Sequence, residues 1–332
     1  RKGMEARKRA EGESAMIAGL KCEKTSLFSR WKPDWDGAKS EYERAATCFK
    51  VAKDMQRAVD AYVKAAEAHA HLDAGYFMAA KHLESAAFIA RDLKQAAQAA
   101  SMYERAASLH QQDGRVDGTA EALCKAARVL EEHDSAKGAG LMLRACGLLA
   151  EEDDERILRA SVDTFKQAVA FLLRTRRWSE GAKLLHQQAS VHGRLQQPHG
   201  VGRCELSAAV VSLAGDDFNG AQAGYHAAVE QCDGFALRDE AVLAERLFGA
   251  YKAQDEEGLQ QVLKEQTFNH LENQVALVAR SLTLRSAGVP VQQLSRPTGR
   301  SDSSTAVALP KLEGTGDFGE VAPEDELKTT SL

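Results

Sequence analysis

The chain has 332 residues, 44% of them hydrophobic and only 6% aromatic, and its net charge is −5. This length allows a large core or an extended array, and an alanine-rich apolar fraction is typical of close-packed helices rather than sheets. The negative net charge argues against general binding of nucleic acid. No stretch of about 18 uninterrupted apolar residues and no signal-like first segment is present, so we expect a soluble chain whose membrane contact is at most peripheral.

The six cysteines, at positions 22, 48, 124, 146, 204 and 232, are well separated in the sequence and form no CxxC pair. A chain of this size does not need disulfide bonds to stabilise its core. We therefore interpret the cysteines as reduced thiols, which favours a cytoplasmic protein.

The first predicted element is an N-terminal helix followed by a loop, together residues 1–37. The loop contains the segment KTSLFSRWKPDWDGA, in which four bulky apolar residues stand beside basic residues and the first proline of the chain. Trp35 fits the first buried turn of the next helix, and Trp31 fits a staple packed beneath it. Leu27 and Phe28 have no periodic partner, so both an exposed and a buried role stay open for them.

Residues 38–232 repeat a single pattern: a large residue, here called an anchor, with a small residue four positions before it and alanine three positions after it. Leu185 fits only half of the pattern, because Gln188 stands where alanine is expected. Successive anchors are 19 to 23 residues apart. The anchors are Tyr42, Tyr62, Leu83, Tyr103, Leu123, Met142, Phe165, Leu185, Leu206 and Tyr225.

The spacing of this pattern indicates helices. Steps of three and four residues place each anchor and its two small neighbours on one helix face. A period of about 20 residues leaves room for a helix of about four turns and a short loop, so two helices form an antiparallel hairpin of about 40 residues. The pattern therefore predicts an all-α protein, an α-solenoid of tetratricopeptide-like hairpins with longer helices. Asp34, Asp54 and Asp217 precede predicted helix starts and fit N-caps.

After the last anchor the period becomes irregular. Residues 233–287 are predicted to form a C-terminal helical bundle that covers the last repeat. Two helical segments are expected there, RDEAVLAERLFGAYKAQ and EEGLQQVLKEQTFNHLENQVALVARSL, because both keep a helical period of apolar residues. Residues 288–332 contain four of the six prolines and no such period, so we predict a disordered tail.

The sequence contains no arrangement that indicates catalysis. The histidines closest together are His69, His71 and His82, but positions two apart on a helix face different sides and no acidic residue completes a constellation. A GxGxxG match at 314–319 and a DFG match at 317–319 lie in the predicted tail, with no strand before them and no helix after them. The sequence therefore predicts no cofactor, no metal and no enzymatic activity.

Three features together resemble the SNAP family, the soluble attachment proteins of the NSF ATPase. They are the helical period of about 20 residues and the segments LFSRWKPDWDGAKSEYERAATCFKVAKDMQRAVDAYVKAAEAH and ENQVALVARSL. The resemblance covers about residues 14–285 and is strongest to the gamma branch. It implies a non-catalytic adaptor that binds SNARE four-helix bundles and recruits the hexameric NSF ATPase for their disassembly in vesicle transport. Several copies per complex and peripheral attachment to the cytosolic face of anionic endomembranes are implied as well.

The resemblance also assigns residues to the membrane and to the ATPase. The membrane-attachment loop of the family falls on Leu27 and Phe28, with Trp31 beside them. The acidic contacts of the family with the ATPase fall in the C-terminal bundle. The candidates there are Asp255, Glu256, Glu257, Glu265 and Glu272.

The SNARE-facing surface of the family is basic. Its positions match Lys81, Lys125 and Lys166 in this sequence. To these we add a second basic group because of its charge and its place in the array. That group comprises Arg174, Arg176 and Arg177.

Two other classes of protein stay open. A tetratricopeptide-like scaffold or co-chaperone would capture short peptides in its groove, but it should carry asparagine and lysine at fixed places of successive inner helices, and the sequence shows no such set. A peripheral lipid-binding protein without a SNARE role would need only the N-terminal loop.

Overall fold

The computed structural model describes residues 2–25, 31–232 and 234–284. Leu27 and Phe28 of the predicted membrane loop, and the predicted tail at 288–332, lie outside the described residues. None of the helices in the described ranges is long and apolar enough to cross a membrane.

The described residues form fourteen α-helices and two 3-10 turns. The first eleven helices are α1 (Lys2–Glu23), α2 (Trp35–Val51), α3 (Met55–Ala70), α4 (Tyr76–Asp92), α5 (Ala96–Gln112), α6 (Val116–Leu130), α7 (Ser135–Ala150), α8 (Glu155–Arg174), α9 (Trp178–Arg194), α10 (Pro198–Ala214) and α11 (Phe218–Gln231). After them come a 3-10 turn (Phe235–Leu237), α12 (Asp239–Ala253), α13 (Glu256–Val262), a second 3-10 turn (Gln266–His270) and α14 (Asn273–Arg280).

Helices α1 to α11 pack in chain order, each against the next. Their connections are short, and short connections make neighbouring helices antiparallel. The predicted all-α solenoid of helical hairpins is confirmed. No disulfide joins the six cysteines, all of which fall among the described residues, and four of them are buried.

Each helix from α2 to α11 carries one of the ten predicted anchors. All anchors are buried except Tyr62, which is half-buried, and the small residues that flank them are buried as well. Small residues beside a large one let adjacent helices approach closely and interdigitate. Gln188, the departure from the pattern, is also buried, and its Oε1 atom has no hydrogen-bond partner among the described residues.

Most connections between these helices use the same turn. The residue two positions before the next helix has positive φ, as at Lys53 (58°), Lys94 (63°) and Arg176 (56°), and the following amide closes the preceding helix, as when Arg177 N donates to Leu172 O. This left-handed C-terminal turn satisfies backbone carbonyls that the end of a helix leaves open.

All three predicted aspartates stand at the N-cap of a helix, and two of them make the capping hydrogen bond. Asp34 and Asp217 accept hydrogen bonds from the backbone amides of Gly37 and Gly220. The carboxylate of Asp54 makes no capping bond and forms ion pairs with Arg9 and Arg57 instead.

The C-terminal part differs from the prediction in one respect. The segment that starts at Glu256 is not one helix, because it divides into α13, a 3-10 turn and α14. The backbone is extended at Glu265 and Glu272. This break lets the chain fold back, so that Leu259, Phe268 and Val275 are buried in one core, which a single straight helix could not achieve.

Candidate partner-binding surfaces

Lys81 and Lys125 line the same cleft, although 44 positions separate them in the sequence. The cleft has a volume of about 670 Å³ and lies along α2 to α6, with Lys50, Tyr62, Phe88 and Tyr103 among its lining residues. A second cleft of about 960 Å³ shares Phe88, Tyr103 and Lys125 with the first and adds Arg91, Lys94 and Arg128. Together the two clefts form a groove, here called the basic groove, in which six lysines and arginines outnumber the four acids Glu84, Asp92, Glu131 and Glu132. Aromatic side chains lie between the charges.

Glu84 on α4 organises the cations of this groove. Its Oε2 atom lies 3.0 Å from Lys125 Nζ and 3.4 Å from Lys81 Nζ, and its Oε1 atom lies 3.0 Å from His110 Nε2. Burial alone would raise the pKa of Glu84, but the hydrogen bonds from His110 and Lys125 lower it. Glu84 is therefore an anion in the groove. It holds the two lysines in place and offsets part of their charge.

Lys125 is the more restrained of these two lysines. Besides Glu84 it pairs with Glu121, at 2.8 Å, and its side chain is 25% exposed. Burial opposes the charged form, but the hydrogen bonds to Glu121 and Glu84 raise the pKa of Lys125. Lys125 is therefore charged and its position is fixed before any partner arrives.

Lys166 on α8 connects two of the predicted surfaces. Its Nζ atom lies 3.6 Å from Asp163 and 3.6 Å from Glu272, the residue before α14. Lys166 was predicted to face SNARE proteins and Glu272 to face the ATPase. One residue predicted for each of the two surfaces therefore pairs with a residue predicted for the other.

The arginines at the end of α8 do not form one uniform cluster. Arg174 makes two hydrogen bonds to Glu131, at 2.6 and 3.0 Å, and Arg177 pairs with Glu180 at 3.0 Å. Arg176 is exposed and has no side-chain partner among the described residues. Of these three cations, Arg176 is the one whose full charge is available to a partner.

The predicted acidic residues of the C-terminal part differ in the same way. Asp255 caps α13 through the Gly258 amide at 2.9 Å, and Glu256 accepts from the Leu284 amide at 2.7 Å. Glu265 pairs with Arg246 at 2.8 Å. Glu257 is exposed and has no side-chain partner in the described part of the chain. Glu257 is therefore the carboxylate in this set without an internal role.

Trp31 and Trp35 have different environments. Trp31 is 86% exposed, so its alternative role as a packed staple is wrong. Trp35 begins α2 and stacks on His71, with ring centroids 3.9 Å apart, against a small cluster that includes Tyr42. Trp35 therefore packs at the start of α2, whereas Trp31 lies on the surface.

Sequence reasoning missed the role of Glu84, although a signal for it exists. Glu43, Glu84, Lys125 and Lys166 follow one another at steps of 41 residues, at equivalent points of α2, α4, α6 and α8. The side chains along this line, here called the polar ladder, change from acid to base between the second and third positions. The period of one hairpin thus predicts the contact between Glu84 and Lys125, which the structure contains.

The expectation that no acidic residue joins the histidines is wrong. Glu43 Oε1 lies 2.7 Å from His69 Nε2 and 3.0 Å from His82 Nε2. Glu43 precedes these histidines by 26 and 39 positions and stands on the neighbouring helix, so a search along the sequence does not bring the three together. His71 belongs elsewhere, because it stacks on Trp35.

Comparison with known proteins agrees with this architecture. The family model described as "Soluble NSF attachment protein, SNAP" matches residues 5–274. A gamma-soluble NSF attachment protein of Dictyostelium discoideum is 32% identical over 281 residues, which is 85% of this chain and 85% of that protein. A protein of the same name from Arabidopsis thaliana is 28% identical over 255 residues, or 77% of this chain and 86% of that protein.

The fold and the match of the family model define an all-α helical-repeat protein of the attachment-protein class. This chain belongs to the SNAP family. The resemblance noted in the sequence is confirmed, and both relatives carry the gamma name.

Proposed function

We propose that this chain is a non-catalytic adaptor that binds SNARE four-helix bundles and recruits the hexameric NSF ATPase, so that ATP hydrolysis separates the bundle in vesicle transport. One observation carries the proposal: the family match spans nearly the whole array, and the array holds Lys125 and Lys166 at equivalent points of neighbouring hairpins.

The SNARE-facing surface is the basic groove together with Lys166 and Arg176. A SNARE bundle is a rod with a largely acidic exterior, and a row of cations at a one-hairpin repeat can follow such a rod. Phe88 is 51% exposed in the groove and offers an apolar contact between the charges. Contacts between exposed charges contribute about 0.2–1 kcal/mol each and weaken with salt, so capture depends on several of them together.

The ATPase-facing surface is the acidic side of the C-terminal part, with Glu257 as its main free charge. Asp255 and Glu256 contribute charge while they also stabilise α13. A basic surface on the ATPase would be steered toward these carboxylates. Glu272 and Glu265 are weaker candidates, because each already pairs with a cation of this chain.

The membrane contact is the loop between α1 and α2. Leu27, Phe28 and the exposed Trp31 enter the interface, with Lys24 and Lys32 beside them. Burying one large apolar side chain is worth roughly 1.5–3 kcal/mol, and each nearby cation adds about 1 kcal/mol on an anionic surface. The sum gives reversible attachment, which suits an adaptor that recycles, and several copies on one bundle would strengthen it.

A pull-down with three baits tests the proposal: assembled SNARE bundles, single SNARE peptides, and anionic liposomes. We expect capture by the bundles and by the liposomes, with little binding to single peptides. Exclusive binding to single peptides would favour a tetratricopeptide-like scaffold or co-chaperone. Binding to liposomes alone would favour a peripheral lipid-binding protein.

Matched variants separate the surfaces. Lys125→Gln with Lys166→Gln should weaken bundle capture, whereas Lys183→Gln with Lys252→Gln removes the same charge from exposed positions of α9 and α12 and should not. For ATPase recruitment, Glu257→Gln should reduce binding while SNARE capture persists. Glu230→Gln on α11 is its control. Equal behaviour of variants and controls would contradict the placement of both surfaces.

A further inference from the structure

Glu43, His69 and His82 bring three metal-ligand side chains from three helices to one point. The two histidine Nε2 atoms lie 2.7 and 3.0 Å from the same Glu43 oxygen, and all the donor atoms lie within 4.8 Å of one another. The histidine side chains are only 8% and 13% exposed, whereas Glu43 is 39% exposed. The cluster is therefore fixed on its inner side and open to solvent at the carboxylate.

The next hairpin contains an equivalent cluster with a different third member. Glu84 and His110 repeat the spacing of Glu43 and His69, 26 residues in each case, at one hairpin further along. There Lys125 completes the group and neutralises Glu84 at 3.0 Å. At Glu43 the third member is His82, and among the described residues no lysine or arginine lies within ion-pair distance of Glu43.

The charge of Glu43 is consequently not balanced by a permanent cation. Its two side-chain partners are imidazole nitrogens, which share one oxygen of the carboxylate. One carboxylate and two imidazole nitrogens are a donor set that a divalent transition metal prefers.

We propose that Glu43, His69 and His82 form a zinc site that links α2, α3 and α4, with a water molecule as the fourth ligand. Zinc bonds to nitrogen and oxygen are about 2.0–2.1 Å long, so tetrahedral donors lie about 3.3 Å apart. The separations of Glu43 Oε1 from His69 Nε2 and from His82 Nε2 are shorter than this by about 0.6 and 0.3 Å. A small withdrawal of the Glu43 side chain, the most exposed of the three, opens the space and admits the water.

The test uses the full chain without a histidine tag, freed of metal by a chelator and then titrated with zinc chloride in competition with a chromophoric zinc indicator. We expect one zinc ion per chain, and at least tenfold weaker binding in both Glu43→Gln and His82→Gln. His71→Gln and Glu84→Gln should leave affinity unchanged, because they alter the neighbouring histidine and the lysine-neutralised cluster. Circular dichroism of each variant checks that the helices persist.

Cobalt substitution identifies the donors independently. A tetrahedral visible spectrum without thiolate charge-transfer bands is expected, and it should disappear in Glu43→Gln. Absence of saturable binding at up to 100 µM zinc would overturn the proposal. So would equal binding by the wild type, Glu43→Gln and His82→Gln. If histidine NMR at pH 7 shows that a proton balances Glu43 in the metal-free chain and zinc does not displace it, the site is a proton-binding pair and not a metal site.

Discussion

Helices α2–α9 and helices α10–α14 are stabilised by different kinds of packing. In the first group, each helix presents one large anchor, which lies between small residues on every helix except α9, and packs mainly against its neighbours in the sequence. In the second group, α10 is buried on all sides from Val201 to Leu213, apart from Arg203, and packs against α9, α11, α12 and α14. Aromatic rings fill the space beyond it, with Tyr225 5.6 Å from Phe248 and 5.9 Å from Phe235 between centroids.

This difference shows how a repeat array can end. An array of identical units always leaves one apolar face open at its last unit, and terminal repeats must cover that face. Here the final helices do so with larger side chains and contacts between residues distant in the sequence. The regular part should therefore respond locally to mutation, whereas the C-terminal part should respond as one unit.

The largest effect is expected from Leu206→Ala on α10. Leu206 is fully buried, and its truncation should lower the free energy of unfolding by about 2–5 kcal/mol. Leu83→Ala on α4 is the matched change in the array. Native-state hydrogen exchange should show lost protection from α9 to α14 for Leu206→Ala, but only in α3 to α5 for Leu83→Ala. Equally local losses of protection in the two variants would show that the two parts do not differ in cooperativity.

A smaller effect is expected from enlarging one of the small residues that flank an anchor. A Cβ atom at Gly138 would lie 2.7 Å from Phe171 Cζ and 3.1 Å from Ala127 O, so Gly138→Ala should destabilise by about 1–3 kcal/mol. Gly140 on the same helix is exposed with nothing within 4 Å of its Cβ position. Gly140→Ala should therefore stabilise by roughly 0.5–1 kcal/mol. Urea unfolding measures both, and the same sign for the two variants would contradict close packing at Gly138.

Reversing Lys125 tests whether the polar ladder supports the array as well as a partner. Lys125→Glu brings a third carboxylate to Glu84 and Glu121 and should cost roughly 1–2 kcal/mol of stability. Lys125→Gln should cost less, since it removes the cation without adding an anion. Added salt should recover part of the loss in the glutamate variant by screening the repulsion. Unchanged melting temperatures in both variants would show that Lys125 serves only a partner.

The smallest effect concerns the pH dependence of stability that arises from His82 in the Glu43 cluster. Burial lowers the pKa of His82 in the folded chain, so the unfolded chain binds the proton more readily. Stability should therefore fall as pH decreases through the unfolded value of about 6.5 toward the lower folded value. His82→Gln should reduce this slope when unfolding is followed in the presence of a chelator. A variant with the same slope as the wild type would show that other groups cause it.

The positions of the candidate residues could be predicted, but their charge environment could not. The resemblance to the family assigned Lys81, Lys125 and Lys166 as candidates, and the anchor period places each on its helix. Whether a charge is available depends on neighbours from other helices. Lys125 is held by Glu84, which stands 41 positions earlier, while Arg176 has no side-chain partner in the described ranges. Similarly, Glu257 and Asp255 are two residues apart, yet Asp255 caps a helix and Glu257 is unbound.

The sequence by itself determined the all-α class, the register of ten helices and the packing face that each anchor marks, because spacings of three and four residues and short connections are local properties. Only the tertiary structure decided how α13 and α14 fold back, since α13 packs on α12 and α14 packs on α10, which are separate in the sequence. It also decided the meeting of Glu43 with His69 and His82. Their hydrogen bonds join helices whose distance and rotation follow from the packing of the whole hairpin, which no single segment specifies.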